Sequence, residues 1–218
     1  MTLTQELDRL KAELRSKHPE ETKALMDQAT ENLANSGIID RSLKVGDKIP
    51  NFTLPNAVGK TVEMQSLLTN GPVVITFYRG QWCPYCNLEL RTLQQNLPKF
   101  QELGANLIAI SPQTPDNSLS TTEKNELTYE VLSDEKNSVA REFGLVFEVP
   151  EELRPVYEGF GIDLPTHNGD ESFELPVAAT YVINTDGTVV NAFVDADYTK
   201  RLDPEKIVDA LEEVKAKS

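Results

Sequence analysis

Only two cysteines and two histidines occur among the 218 residues. A structural zinc site needs four such ligands, usually a second CxxC or a histidine pair, so no metal site is expected. The cysteines, Cys83 and Cys86, lie too close in sequence for a structural bridge, which would close almost no loop and constrain the unfolded chain little. Long apolar runs are also missing. No stretch approaches the roughly 20 apolar residues of a membrane span, and Met1 to Asp8 has neither a basic segment nor an apolar core of the kind a secretory signal carries. Basic residues are scarce as well: 21 Lys and Arg stand against 35 Asp and Glu, a net charge of -14. Such a chain repels phosphate backbones and anionic lipid, so neither nucleic-acid nor membrane partners are expected. There is no repeat, no low-complexity segment and no glycine-rich phosphate loop, and no cofactor is implied. The expected location is cytoplasmic, where a reducing pool suits a reversible dithiol better than a permanent bridge.

What the chain does have is a dithiol in a telling place. The run Phe77-Tyr-Arg-Gly-Gln-Trp-Cys-Pro-Tyr-Cys86 follows an apolar strand, Val73 to Phe77, and opens a helix. Free backbone N–H groups and the positive end of the helix stabilise a thiolate there, and the thiolate is the reactive form. Two buried, inert cysteines are the open alternative, because free cysteine packs as a small hydrophobe.

Residues 1–40 read as a helical extension. Leu3, Leu7, Leu10 and Leu14 share one helical face; after Pro19, taken as a first helical position, Leu25, Met26, Ala29 and Leu33 mark a second helix that stops at Ser36-Gly37. The leucine stripe suits docking against the rest of the chain, with a homodimer as the alternative. Residues 45–218 read as one domain. Asn51–Leu54 and Lys60–Met64 suggest a hairpin, and Val73–Tyr78, a helix over Leu88–Leu103 and Asn106–Ile110 form a βαβ unit whose helix Pro98 should kink or break. A helix opens at Thr114-Pro115-Asp116, and Glu130–Leu132 is a short strand before the helical Val139–Phe143. Residues 145–175 read as a long ordered excursion beside the site, with His167 facing solvent. Val177–Asn184 and Val189–Val194 pair around Thr185-Asp186-Gly187, and Asp203-Pro204 caps a final helix. The class is α/β, with a central sheet covered on both faces.

The segments Val45–Leu54, Phe77–Cys86, Val131–Asp134, Val139–Gly144 and Tyr181–Gly187 resemble the alkyl hydroperoxide reductase and thiol-specific antioxidant (AhpC/TSA) family, the peroxiredoxins. The resemblance covers about residues 45–195 and implies a thioredoxin fold with a central mixed sheet flanked by helices. It also implies a peroxidase that reduces hydrogen peroxide or alkyl hydroperoxides, with a thioredoxin or glutathione system as reductant.

In the family motif Pro-x-x-x-Thr-x-x-Cys, Arg79 takes the proline position, Cys83 the threonine position and Cys86 the peroxidatic position. The family arginine would fall near Ala178 and is missing. That register favours Cys86 as the peroxide-reactive thiol; exposure at a helix start favours Cys83. Arg79 is a candidate source of positive field, Trp82 and Tyr85 of pocket shape, and Glu89 of proton relay if buried. The Cys-Pro-Tyr-Cys tetrapeptide is similar to that of glutaredoxins, so thiol–disulfide exchange is the alternative activity. A non-catalytic interaction module that merely kept the fold is a second alternative.

Overall fold

The structure, a computed structural model, describes residues 1–218. Helices α1 (Leu3–Arg15), α2 (Glu20–Ala34) and α3 (Ile38–Arg41) precede a hairpin of β1 (Thr53–Pro55) and β2 (Thr61–Glu63), then α4 (Met64–Thr69). There follow β3 (Val73–Phe77), α5 (Pro84–Glu102), β4 (Asn106–Ser111), α6 (Pro115–Asn125), β5 (Glu130–Ser133) and α7 (Ser138–Glu142). The excursion holds β6 (Val146–Glu148), α8 (Arg154–Gly159), α9 (Leu164–Asn168) and β7 (Glu174–Pro176). The chain ends with β8 (Ala179–Ile183), β9 (Val189–Val194) and α10 (Pro204–Lys217).

The central sheet runs in the order β5-β4-β3-β8-β9. Strands β3, β4 and β5 are parallel, whereas β8 runs antiparallel to β3 and β9 antiparallel to β8. This is the mixed, doubly covered sheet expected. All five residues of β3 are buried, since alternate side chains enter different cores. Val74 packs with Leu90, Leu93, Phe100, Ile207 and Leu211 beneath α5 and α10. Val73, Ile75 and Phe77 pack on the opposite face with Phe52, Phe143 and Tyr181.

Helix α5 begins at Pro84 rather than Leu88, so the dithiol sits at its very start. It also runs through Pro98 without a break. Proline there removes the hydrogen bond to the Gln94 carbonyl and crowds that carbonyl, but the buried row Leu90, Leu93, Leu97 and Phe100 holds both sides together. Pro19 caps α2 rather than occupying its first turn. The leucine stripe is occupied within the chain: Leu3 and Leu7 are buried in the α5/α10 core, and Leu10 and Leu14 pack at its edge. Helix α2 instead lays Leu25, Met26 and Ala29 on a small cluster of Val149, Leu153, Leu164 and Leu175 from the excursion. The excursion is tied down by the antiparallel β6–β7 pair. His167, expected in solvent, is half-buried in α9. No helix is long and apolar enough to cross a membrane.

Candidate active site

The β3–α5 junction sets the dithiol. Cys83 is the N-cap residue of α5 with extended backbone, and Pro84 fills the first helical position, where no N–H is needed. The Cys83 carbonyl accepts from Asn87 N at 3.0 Å, and Cys83 N donates to the Gly80 carbonyl at 3.1 Å. Both thiols are free, 1% exposed at Cys83 and 0% at Cys86.

Each sulfur has its own arginine. Arg79 Nη1 lies 4.0 Å from Cys83 Sγ, and the Arg79 backbone N–H points at Cys86 Sγ from 3.5 Å. Arg201, in the connection between β9 and α10, donates from Nη2 to Cys86 Sγ at 3.2 Å. Its Nε donates to Glu89 Oε2 at 2.6 Å, and its Nη1 to the Tyr198 and Lys200 carbonyls at 2.5 and 2.8 Å. The second Glu89 oxygen accepts from Thr180 and Thr76 hydroxyls at 3.2 and 3.3 Å. Glu89 is therefore buried rather than a charge on the helix surface. Burial pushes its carboxyl up, and Arg201 and the Thr180 hydroxyl oppose that push.

Arg79 is likewise not a solvated charge. It is 4% exposed, and its guanidinium carbon lies 4.5 Å from the Tyr198 ring centroid, 4.9 Å from Trp82 and 5.8 Å from Tyr157. Nη2 bonds the Tyr157 hydroxyl, while Nε has no partner. Three aromatic faces replace the acid that a buried arginine normally finds. The indole of Trp82 rests directly over Gly80, where an added Cβ would lie 2.2 Å from Nε1. Tyr85 packs edge-on against Tyr198, with ring centroids 5.7 Å apart.

These surroundings separate the two thiols. Burial disfavours a Cys83 thiolate, but a hydrogen bond from the Cys86 thiol and the charges of Arg79 and Arg201 outweigh it and bring Cys83 down to about 6. Cys86 moves the other way. Burial and the neighbouring Cys83 thiolate push it well above its ordinary value despite Arg201 and Arg79. One thiolate with one thiol held against it is the state that this geometry favours.

A cavity of about 800 Å³ opens onto Cys83. Its walls include Leu14 of α1, Met26 and Leu33 of α2, Phe147 of the excursion, and Trp82 and Tyr157 beside the thiol. Arg79, Tyr85 and Cys83 line it; Cys86, Glu89 and Arg201 do not. The site thus has an accessible front at Cys83 and a sealed back at Cys86.

Residues 45–192 match the AhpC/TSA family. The chain belongs to that family. Among relatives, a chloroplastic peroxiredoxin Q of Gentiana triflora is 32% identical over 164 residues, covering 75% of this chain and 63% of that protein. A putative peroxiredoxin bcp of Buchnera aphidicola is 32% identical over 104 residues, 48% of this chain and 65% of that protein. The chain therefore spans just under two thirds of the length of these curated relatives. The crystal structure of peroxidoxin BcpB from Mycobacterium tuberculosis superposes with a TM-score of 0.62 at 24% identity, over 78% of this chain and 97% of that one. A PrxQ mutant of Xylella fastidiosa gives 0.61 at 17% identity, over 80% and 97%. Both show the peroxiredoxin form of the thioredoxin fold.

Within this AhpC/TSA chain the register leaves Ala178 buried where the family arginine would stand. Arg201, 23 residues further along, brings a guanidinium to the back of the dithiol, 3.2 Å from Cys86 Sγ and outside the cavity that Ala178 lines. Tyr157 is readable from the sequence as a packing anchor of the excursion but not as a partner of Arg79, and Arg201 and Tyr198 lie in an irregular segment with no periodicity or motif to single them out.

Proposed function

We propose that this protein is a thiol-dependent peroxidase whose attacking thiol is Cys83. The observation that carries this reading is the placement of Cys83 at the cavity floor beside Arg79, with Cys86 sealed behind it against Arg201. The Cys83 thiolate attacks one oxygen of a hydroperoxide; the O–O bond breaks, and the departing alkoxide takes a proton to leave as an alcohol, or as water from hydrogen peroxide. Cys83 is left as a sulfenic acid. Arg79 and the Tyr157 hydroxyl stand where the developing negative charge is stabilised. Cys86 then attacks the Cys83 sulfur, its proton leaves with the sulfenic hydroxyl as water, and the disulfide closes. Residues three apart at a helix start are close enough to bridge without unwinding the turn.

This assignment departs from the motif register, which favoured Cys86. Burial alone does not mark the pair as inert, because Cys83 opens onto the cavity and is held as an anion by two cations. Disulfide exchange with protein substrates is the weaker reading, since a protein disulfide does not reach a covered sulfur. A reversible dithiol needs a reducing pool, which supports cytoplasmic placement.

The direct test is to mix the reduced protein with hydrogen peroxide or cumene hydroperoxide and follow free thiols and peroxide together. Loss of two thiols per peroxide consumed is expected; peroxide left untouched by fully reduced protein rejects the reading.

A further inference from the structure

We infer that the cavity in front of Cys83 is the binding site of a low-molecular-weight thiol carrying a carboxylate, which reduces the oxidised enzyme directly in place of a protein dithiol. The inference rests on the peroxidase reading and names its reductant class. The first observation is cover. A protein reductant has to lay a flat surface against the disulfide, but α1, α2 and the excursion form the walls of the approach to Cys83, and Cys86 has no approach at all. Nor does the CxxC bridge expose itself by forming, since it closes within a single helical turn.

The second observation is charge. Arg79 is buried at the cavity with no carboxylate partner, and its Nε is unpartnered. Of the other lysine and arginine side chains of the lining, Lys11 pairs with Asp197 at 3.2 Å and Arg15 with Asp27 at 2.8 Å, while Arg41 is exposed and donates to the Ser36 carbonyl at 2.9 Å, which leaves Arg79 as the buried cation of the lining with no acid. Of the lining acids, Glu148 pairs with Arg154 at 2.6 Å, and Asp195 accepts the Asp197 backbone N–H at 2.8 Å. In the reduced enzyme the Cys83 thiolate is the anion nearest Arg79. Once the disulfide forms that anion is gone, and a buried cation is left uncompensated in the one state that needs a reductant. A carboxylate on the incoming thiol fills the vacancy, and return of the Cys83 thiolate expels it.

The chemistry balances with two thiols. The first, as thiolate, attacks Cys83 Sγ; the Cys83–Cys86 bond breaks and Cys86 leaves beside Arg201, taking up the proton that the incoming thiol lost. A second thiolate attacks the external sulfur of the mixed disulfide. Cys83 leaves as a thiolate, the small disulfide departs, and two electrons have passed to the enzyme. In the first step access, not leaving-group strength, selects Cys83 as the sulfur attacked, because Cys86 does not line the cavity; in the second step Cys83 departs readily because its thiolate is the stabilised one.

The test uses full-length protein oxidised with diamide, so that it does not depend on peroxide chemistry. Free thiols are counted by alkylation and mass spectrometry after an acid quench. Glutathione should reduce the protein with a rate that saturates, and mercaptoethanol, which has no carboxylate, with a rate that stays linear. Arg79→Gln should raise the half-saturating glutathione concentration about 10-fold or more, the scale of removing one partner of a buried charge pair; it also slows both thiols by weakening support for the leaving Cys83 thiolate, so half-saturation and not the rate at a fixed thiol concentration is what is read. S-methylglutathione, unable to react, should compete with glutathione on the unaltered protein, which covers the case of a poorly folded variant. Micromolar thioredoxin reducing the protein faster than millimolar glutathione would overturn the inference, as would an unchanged half-saturating glutathione concentration in Arg79→Gln or no competition. Failure of the peroxidase reading shows separately, as reduced protein that peroxide does not oxidise.

Discussion

Arg201 Nη2 sits 3.2 Å from Cys86 Sγ, although 115 residues separate the two. The same guanidinium is fixed by Glu89 and two backbone carbonyls, so it cannot follow a moving sulfur. It stabilises negative charge on Cys86 only at the place where Cys86 leaves a disulfide. Cys86 is thereby suited to resolve and to depart, and Cys83, at the cavity, to attack.

That division is testable by single substitutions. Cys83→Ser should lose peroxide consumption entirely, while Cys86→Ser should consume one equivalent and stop at a sulfenic acid on Cys83. A sulfenic-acid trap followed by peptide mapping reads the outcome. Adduct on Cys86 in the Cys83→Ser protein, and none on Cys83 in the other variant, would restore the order suggested by the family register.

The pH dependence follows from Cys83 lying near 6 in the fold. The rate of reduced protein with peroxide should rise through about pH 6 and level off above it, since the thiolate alone reacts. Arg79→Gln should move that midpoint upward, because one of the two cations holding the thiolate is lost. Stability carries the same sign. A depressed thiol stabilises the reduced fold in full only above the unfolded thiol's pKa, and that contribution disappears as pH falls through about 6. The oxidised protein has no such titration, so the gap between reduced and oxidised denaturation midpoints should change across this range and not below it.

The buried pair behind Cys86 supports a third expectation. Glu89→Gln leaves Arg201 charged with no carboxylate, and removing one member of a buried pair costs about 3–5 kcal/mol. Arg201→Met alone strands Glu89 in the same way. The double variant should recover much of that loss in denaturant unfolding while still closing its disulfide slowly after peroxide attack. Additive losses in the double variant would mean that the two side chains are not energetically paired.

Much of this architecture is legible in the sequence because burial imposes periodicity. Val73–Phe77 and Asn106–Ile110 read as parallel strands because both faces of the sheet are covered, and Leu90, Leu93, Leu97 and Phe100 mark one side of α5. Periodicity starts α5 late, at Leu88, because its first turn carries a cysteine and a tyrosine and no leucine row. The site was half legible. Cys83, Cys86, Arg79, Trp82, Tyr85 and Glu89 stand within one contiguous stretch, whereas Tyr157 arrives on the short helix α8 and Arg201 and Tyr198 on the connection before α10, where no local pattern encodes the contact. The burial of Glu89 belongs to the same class: a lone acid on a helix reads as solvated until its distant partner is known.

Gly80 gives a prediction about the aromatic wall. Its Cα carries the Trp82 indole so closely that a Cβ would sit 2.2 Å from Nε1 and 2.8 Å from the adjoining ring carbon, distances at which the ring has to move. Trp82 is one of three faces around Arg79, so displacing it loosens the guanidinium that neighbours Cys83 Sγ. Gly80→Ala should therefore slow peroxide reaction by about 10-fold or more, the scale expected when a positioned group shifts by about an ångström, and raise the pH midpoint of the reaction. Global stability should fall as well, because Gly80 is buried and the methyl has to push the indole aside, so the rates are compared at a temperature where each variant is folded. If the mechanism is the clash with Trp82, the two positions are coupled. In a Trp82→Ala background, itself slowed, Gly80→Ala should add almost no further loss, whereas independent effects would multiply. Stopped-flow oxidation of the four proteins completes the cycle, and multiplication of the two single effects would show that Gly80 matters for some reason other than the indole above it.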